Sequence, residues 1–253
     1  MPEGWTSYQM TAEARGQSLT REVFTRGSGP AIVLVHELPG LTPEALALGA
    51  RLDAAGFSVH APHLFGPVGK TSMLGNTLRV LCLHREFALF AANRTSPVVD
   101  WLGALCRHVA RNSGAPVGVI GMCLTGNFAI SLIAVEGVAA AVASQPSLPI
   151  FDSEALHMSP AELAASRDAL DAKGPMLALR FAADPLCRAA RFDAIARAFN
   201  DDGERIAMQT LPGRGHAVLT AHFVDRAGHP TRAALDRVIA HFDARLRQNP
   251  PPS

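Results

Sequence analysis

The amino-acid sequence predicts an α/β protein with a mostly parallel central sheet that is covered by helices on both faces. Short apolar runs, of the kind buried on both sides in parallel sheets, alternate along the chain with segments of helical periodicity. The 253 residues are 48% hydrophobic and contain no interior linker, so they can bury one large core. We therefore expect a single domain over residues 1–253, with residues 1–15 and 248–253 peripheral or frayed.

In the first half of the chain, the residues at the ends of each segment indicate where strands and helices begin and stop. The β-branched run Ala31–His36 is typical of a buried parallel strand. Thr42 can cap a helix that has Pro43 at its first position and stops before Gly56. The other expected elements are strands at Ser18–Arg26 and Phe57–Ala61, a long loop at Pro62–Asn76, and helices at Thr77–Ala92 and Pro97–Arg111.

The second half of the chain continues this alternation. Ser159 and Pro160 form another cap-and-proline start for a helix. The expected strands are Val117–Ile120, Val138–Ser144, Met176–Phe181 and Arg205–Leu211, and the expected helices are Leu124–Val135, Ser159–Ala172, Arg188–Phe199 and Pro230–Arg247.

The segment Gly121–Gly126, which reads Gly-Met-Cys-Leu-Thr-Gly, joins an apolar strand to a helix. A strand, a sharp turn and a helix in this order are typical of a nucleophile elbow, which raises its central side chain above the sheet edge on a strained backbone. We predict that Cys123 is the nucleophile, because a helix N-terminus favours a thiolate. The alternative is a buried structural cysteine, the commoner role of a free cysteine.

Four polar residues follow predicted strands at their carboxyl ends, which is where reactive groups gather in doubly wound sheets. They are Glu37, Cys123, Asp184 and His216. The order of nucleophile, acid and histidine is that of an α/β-hydrolase fold. His216 is the predicted base and Asp184 fixes its tautomer, although each residue alone could also be an ordinary turn residue.

Two backbone N–H groups are the natural donors to the oxyanion that acyl transfer would form. One belongs to Leu124, directly after the nucleophile, and the other belongs to Leu38, in the loop after the first parallel strand.

The chain resembles the dienelactone hydrolases. Gly121–Gly126 is similar to their cysteine elbow, and Val35–Gly40 is similar to their glutamate-bearing oxyanion loop. Gly56–Phe65, Gly215–His216 and Asp184 match the next strand, the histidine loop and the acid. The resemblance implies hydrolysis of small esters or lactones through an acyl-thioester, with no cofactor. It also implies that Glu37 holds the resting thiol of Cys123 and accepts its proton.

The chain departs from that family at three places. Thr125 stands where the family usually has glycine, and Met122 replaces a common tyrosine. The arginine expected one turn after the histidine, where it holds a substrate carboxylate, is absent from Ala217–Thr220. Arg85 is a candidate for this anion contact, although a solvated helix arginine is the simpler interpretation.

Composition and spacing argue against several other functions. The net charge of +1, with both signs scattered, indicates neither a nucleic-acid nor a membrane partner. Four cysteines without a Cys-x-x-Cys pair, and no signal-peptide pattern, favour a cytoplasmic protein. The histidine spacing predicts no metal site, and the absence of phosphate-binding glycine loops predicts no nucleotide cofactor. The oligomeric state is not predicted.

Two functions without ester turnover are kept as alternatives. One is a catalytically silent fold that acts as a ligand sensor or interaction module. The other is a redox-sensing thiol at Cys123, although no nearby resolving cysteine is visible in the sequence.

Overall fold

Eight strands and six helices make up the described part of the chain, which in this computed structural model comprises residues 1–70, 97–147, 156 and 158–247. The strands are β1 (Thr6–Ala14), β2 (Gln17–Arg26), β3 (Ala31–Val35), β4 (Ser58–Pro62), β5 (Val117–Met122), β6 (Val138–Ser144), β7 (Met176–Ala183) and β8 (Ile206–Arg214). The helices are α1 (Pro43–Ala54), α2 (Pro97–Ser113), α3 (Leu124–Leu132), α4 (Pro160–Lys173), α5 (Ala189–Phe199) and α6 (Pro230–Leu246).

The strands form one sheet in the order β1-β2-β4-β3-β5-β6-β7-β8. Strands β1 and β2 pair antiparallel, and β2 also pairs antiparallel with β4. All the other neighbours are parallel. This arrangement confirms the predicted mostly parallel sheet, and it places the carboxyl ends of β3, β5, β7 and β8 at one edge.

Helices cover both faces of the sheet. Buried residues of α2 to α5 pack on one face, where Trp101, Phe128 and Phe192 are among the largest side chains. Residues of α1 and α6 pack on the other face, including Leu48 and Phe242. Strand side chains alternate between the two faces, so the continuous apolar runs of the sequence are buried on both sides.

The first fifteen residues, expected to be peripheral or frayed, are peripheral and form a strand over most of their length. Thr6–Ala14 is a full edge strand, joined to β2 by a tight turn in which Arg15 and Gly16 both have positive φ. Trp5 is buried, and its indole lies so close to Gly49 of α1 that a Cβ on Gly49 would come within 2.5 Å of it. The segment is therefore peripheral but held by packing and by cross-strand hydrogen bonds.

The helix starts follow the sequence rules. The side chain of Thr42 accepts a hydrogen bond from the backbone N–H of Ala45, and Ser159 forms a capping box with Glu162. The helix predicted at Thr77–Ala92 and the expected terminal segment 248–253 lie outside the described residues. None of the described helices is long and apolar enough to cross a membrane.

Candidate active site

The carboxyl edge of the sheet brings the predicted site residues to one region. Glu37 lies two residues beyond the end of β3, and Cys123 lies between β5 and α3. Asp184 directly follows β7, and His216 lies two residues beyond β8. Neighbouring parallel strands end side by side, so residues distant in sequence meet here.

Cys123 sits on a strained turn, as the elbow pattern predicts. Its backbone has φ 57° and ψ −122°, a conformation that non-glycine residues rarely adopt. Hydrogen bonds hold this conformation: the N–H of Cys123 donates to Ser144 O at 3.0 Å, and its carbonyl accepts from the N–H groups of Gly126 and Ser147 at 3.0 and 3.2 Å. The turn therefore projects the thiol from the N-terminal end of α3.

The two glycines of the elbow are required by close packing. A Cβ at Gly121 would collide with the backbone carbonyl of Thr125. A Cβ at Gly126 would lie 3.0 Å from Cα of Pro146 and 3.2 Å from the carbonyl oxygen of Ser144. The missing side chain at Gly121 lets the turn close, and the missing side chain at Gly126 lets α3 pack against the segment after β6.

Thr125, the departure inside the elbow, is accommodated as a hydrogen-bonding residue. Its side chain is fully buried, and its hydroxyl lies 2.9 Å from both Val35 O and Met122 O, with His36 O at 3.3 Å. The same oxygen accepts the N–H of Met122 at 2.9 Å. Thr125 thus fastens the elbow to the end of β3 instead of crowding the turn.

His216 is held by Asp184. Nδ1 of the imidazole lies 2.9 Å from Oδ2 and 3.0 Å from Oδ1 of the carboxylate. Oδ1 also accepts the backbone N–H groups of Leu186 and Cys187, each at 2.8 Å. The backbone therefore holds Asp184 in place, and Asp184 orients the histidine. Because the carboxylate accepts the hydrogen bond, Nδ1 of His216 carries a hydrogen, and Nε2 is the nitrogen that faces the site.

The protonation of His216 depends on both of its neighbours. Burial lowers the pKa of His216, but the hydrogen bond with Asp184 and the interaction with Cys123 outweigh burial and raise the pKa to about 10. Nε2 is buried and has no acceptor or donor within hydrogen-bond geometry among the described residues. Interaction with Cys123 is one cause of the raised pKa, but no hydrogen bond between the thiol and Nε2 is among those described, so direct contact between Cys123 and His216 stays a prediction.

The thiol of Cys123 is paired with a residue that the sequence did not single out. Its sulfur lies 3.1 Å from Oγ of Ser147. Ser147 is itself held, because Nδ2 of Asn127 donates to its carbonyl at 3.0 Å. The guanidinium of the buried Arg191 in turn donates to Oδ1 of Asn127 and, at 3.3 Å, to Pro146 O. Helix α5 thereby supports the thiol's partner.

Glu37 occupies a buried pocket of neutral polar groups. Its Oε2 accepts a hydrogen bond from Nε2 of Gln145 at 3.0 Å, and its Oε1 accepts one from the hydroxyl of Thr220. Burial raises the pKa of Glu37, and the two hydrogen bonds and the charge of His216 oppose that shift. The described hydrogen bonds of Glu37 thus run to Gln145 and Thr220, while that of Cys123 runs to Ser147, so contact between Glu37 and the thiol stays a prediction.

Gln145, Ser147 and Thr220 are the polar residues that sequence reasoning missed. A usable signal existed for the first two, since both follow strand β6 at the same sheet edge as the other candidates. Gln145 also has a positive φ of 37° and is fully buried. Thr220 lies in the histidine loop, four residues after His216, at the place where the resemblance calls for arginine.

The two expected oxyanion donors belong to the start of α3 and to the loop after β3. Leu124 is the first residue of α3, so its N–H has no acceptor inside the helix. Leu38 follows Glu37 in the loop after β3, and the described hydrogen bonds leave its N–H unused. Arg85, the candidate for anion binding, lies outside the described residues. In residues 1–70, 97–147, 156 and 158–247, no group of three or more histidine, cysteine or acidic side chains could hold a metal ion.

The sheet order, the elbow and the sequence of Cys123, Asp184 and His216 along the sheet edge define an α/β-hydrolase fold. The sequence profile of the dienelactone hydrolase family matches residues 21–244, and the chain belongs to that family. This membership confirms the resemblance drawn from the elbow and the glutamate loop. It supports a hydrolase that acts on ester bonds.

Solved structures show the same fold at low sequence identity. A proposed dienelactone hydrolase from Klebsiella pneumoniae subsp. pneumoniae MGH 78578 is 17% identical with a TM-score of 0.64, over 94% of this chain and 98% of that one. A dienelactone hydrolase-like promiscuous phosphotriesterase from metagenomic libraries is 15% identical with a TM-score of 0.66, over 96% and 99% of the two chains.

A cold-adapted esterase from an Arctic intertidal metagenomic library is also similar. It is 15% identical with a TM-score of 0.60, and the match covers 97% of this chain and 96% of that one. At such identities the likeness extends to the fold alone. The comparison with curated proteins found no match.

Proposed function

We propose that this protein is a cysteine-dependent hydrolase of small esters or lactones that works through an acyl-thioester intermediate. The observation that carries the proposal is the position of Cys123, on a strained elbow at a helix N-terminus and at the same sheet edge as a histidine whose Nδ1 is held by Asp184. Membership of the dienelactone hydrolase family supports the same chemistry.

In the acylation half, Cys123 attacks the ester carbonyl as a thiolate, with its proton already held on Nε2 of His216. The carbonyl oxygen becomes an oxyanion that the N–H groups of Leu38 and Leu124 stabilise. When the tetrahedral intermediate collapses, the C–O bond breaks and the leaving alkoxide takes the proton from His216. An acyl-thioester on Cys123 remains.

In the deacylation half, His216 removes a proton from water and the resulting hydroxide attacks the thioester carbonyl. The second intermediate collapses with cleavage of the C–S bond, and the thiolate regains a proton from His216. Asp184 stabilises the imidazolium in both halves and keeps Nε2 directed at the reacting atoms. The net change is addition of one water across the ester bond.

Glu37 and Ser147 supply the resting-state contacts in this scheme. Ser147 lies within hydrogen-bond distance of the thiol, and we propose that this contact gives way when substrate enters. Glu37 is proposed as an alternative acceptor of the thiol proton, because burial raises its pKa and a carboxylate in that setting binds a proton more readily.

The nucleophile favours particular substrates. A thiolate is a good leaving group, so the tetrahedral intermediate returns to substrate unless the alcohol leaves with comparable ease. Activated esters and enol lactones should therefore react faster than alkyl esters, and amides should react slowest. A catalytic thiol also has to stay reduced, which favours a cytoplasmic location.

The test compares hydrolysis of activated aryl esters and enol lactones by the wild type, Cys123→Ala and a matched control, Cys106→Ala. Cys106 is buried in α2, where burial raises the pKa of its thiol to about 12, so it should not react. We expect turnover in the wild type and Cys106→Ala and none above background in Cys123→Ala. Mass spectrometry of a quenched reaction should locate the acyl group on Cys123.

Equal turnover by the wild type and Cys123→Ala would overturn the proposal. Binding of esters without any turnover by the wild type would favour the ligand-sensor alternative instead.

A further inference from the structure

We propose that His36 is a positioning residue that fixes the Glu37–Leu38 peptide so that the N–H of Leu38 faces the oxyanion. This inference rests on the proposed acyl transfer at Cys123, and it assigns a task to a buried histidine that the proposed reaction does not itself use. It concerns the oxyanion donor rather than the reacting groups, so His36 acts through Leu38 and does not touch the substrate.

Both ring nitrogens of His36 are used, and their roles can be deduced. The side chain is fully buried, and Nε2 lies 3.1 Å from the backbone nitrogen of Leu64. A backbone N–H can only donate, so Nε2 must accept. The hydrogen of a neutral imidazole then sits on Nδ1, which donates to the carbonyl of Glu37 at 3.0 Å.

The neutral form is the one that burial favours. Burial lowers the pKa of His36 to about 4, against the opposing effect of its hydrogen bond to the Glu37 backbone. The ring of Phe65 lies edge-on to the imidazole with the ring centroids 4.5 Å apart, which limits rotation of the side chain. His36 is therefore a fixed donor at neutral pH.

The carbonyl that His36 binds belongs to the same peptide unit as the N–H of Leu38. In a trans peptide these two groups point in opposite directions, so holding the carbonyl sets the direction of the N–H. A second donor, the N–H of Gly40, reaches the same carbonyl at 2.9 Å. Two donors on one oxygen leave the peptide plane little freedom to turn.

His36 also connects the two elements that supply the oxyanion donors. Its ring joins the loop after β4, at Leu64, to the peptide before Leu38. Its own carbonyl oxygen lies 3.3 Å from the hydroxyl of Thr125 in the elbow, one residue after Leu124. A shift of His36 would therefore change the distance between the two N–H groups that have to meet one oxyanion.

Two substitutions separate the roles of the two nitrogens. The amide nitrogen of an asparagine can replace Nδ1, so His36→Asn keeps the donor to Glu37 O and loses the acceptor for Leu64. The longer amide of His36→Gln reaches the place of Nε2 and loses the donor to Glu37 O. His241→Asn is the matched control, since burial also lowers the pKa of His241 to about 4 but this residue lies in α6, near Ala141 in the sheet interior.

Each variant is assayed by two reactions of Cys123. Acylation by an activated aryl ester needs the oxyanion donors, whereas alkylation by iodoacetamide displaces iodide at a tetrahedral carbon and creates no oxyanion. We expect His36→Gln to acylate on the order of 10 to 100 times more slowly, as a misdirected donor implies, and to alkylate within about twofold of wild type. His36→Asn should acylate within about fivefold of wild type, and His241→Asn should match wild type in both reactions.

Parallel losses of acylation and alkylation, or equal acylation by the two His36 variants, would overturn the positioning role. Those results would leave Cys123-dependent turnover intact, so they are distinct from failure of the proposed function, in which Cys123→Ala turns over as fast as wild type. If both variants fail to fold, nitrogen NMR of the His36 imidazole in the wild type shows which ring nitrogen carries the hydrogen. Hydrogen on Nδ1 supports the inference, and hydrogen on Nε2 overturns it.

Discussion

The hydroxyl of Thr125 lies 2.9 Å from the carbonyl oxygen of Val35, and this contact joins the nucleophile elbow to the end of β3. The same hydroxyl oxygen accepts the N–H of Met122 at 2.9 Å. A threonine that stands where the family usually has glycine is therefore a buried connection between the two segments that carry the nucleophile and the oxyanion loop.

Thr125→Val should destabilise the protein, because it leaves the N–H of Met122 without its acceptor while keeping the side-chain volume. We expect a loss of about 1–3 kcal/mol in the free energy of unfolding, measured by urea denaturation. Thr125→Ser keeps the hydroxyl and should lose less. Equal stability of Thr125→Val and wild type would show that the contact contributes nothing.

The backbone strain at Cys123 predicts a difference between two inactive variants. Alanine at φ 57° retains the strain, whereas glycine adopts positive φ freely. Strain of about 1–3 kcal/mol exceeds the roughly 0.5–1 kcal/mol that glycine loses in chain entropy. Cys123→Gly should therefore unfold at a higher urea concentration than Cys123→Ala. The reverse order would mean that the surrounding hydrogen bonds, not the residue type, set the energy of the turn.

The parts of this fold that follow local rules could be predicted from the sequence. The caps at Thr42 and Ser159, the elbow at Cys123 and the positions of Asp184 and His216 after their strands all depend on neighbouring residues or on one rule for parallel sheets. Each of them lies where the pattern indicates.

The parts that depend on how distant segments approach could not be predicted. Trp5 holds the first strand through a glycine of α1, more than forty positions away in the chain. The partners of Glu37 come from a loop after β6 and from the histidine loop, at Gln145 and Thr220. The rule for strand ends brings Gln145 to this sheet edge, but no periodicity or turn signal reports which side chains pair there, because the pairs form only once the edge has been assembled.

The raised pKa of His216 predicts a loss of stability as the solution becomes alkaline. The folded pKa is about 10 and the ordinary value is 6.5, so the folded state binds the extra proton between these limits. The stabilisation is fully present below about pH 6.5 and is lost as pH rises through about 10. The unfolding temperature of wild type should therefore fall more steeply from pH 7 to 10 than the unfolding temperature of His216→Gln.

Asp184→Asn removes a main cause of the raised pKa of His216. The unfolding temperature of this variant should therefore vary less with pH than the unfolding temperature of wild type. Cys123→Ala removes a smaller cause of the raised pKa, so the pH dependence of its unfolding temperature should lie between those of wild type and Asp184→Asn. Parallel curves for wild type and His216→Gln would contradict the assignment of this proton to His216.

Glu37→Gln should stabilise the protein at neutral pH. Burial raises the pKa of Glu37 by more than the hydrogen bonds from Thr220 and Gln145 and the charge of His216 lower it, so ionisation in the folded state is unfavourable. The stability that an acid with a raised pKa contributes is present below the ordinary value near 4.5 and is lost as pH rises through the folded value. An amide is neutral throughout and can still pair with the hydroxyl of Thr220.

We expect the free energy of unfolding of Glu37→Gln, measured by urea denaturation, to exceed that of wild type by about 1–2 kcal/mol at pH 7 and to lose that advantage near pH 4. Glu136→Gln, at an exposed position, is the control and should differ little at either pH. A Glu37→Gln variant that is less stable than wild type at pH 7 would mean that the surroundings compensate the ionised carboxylate in the folded protein.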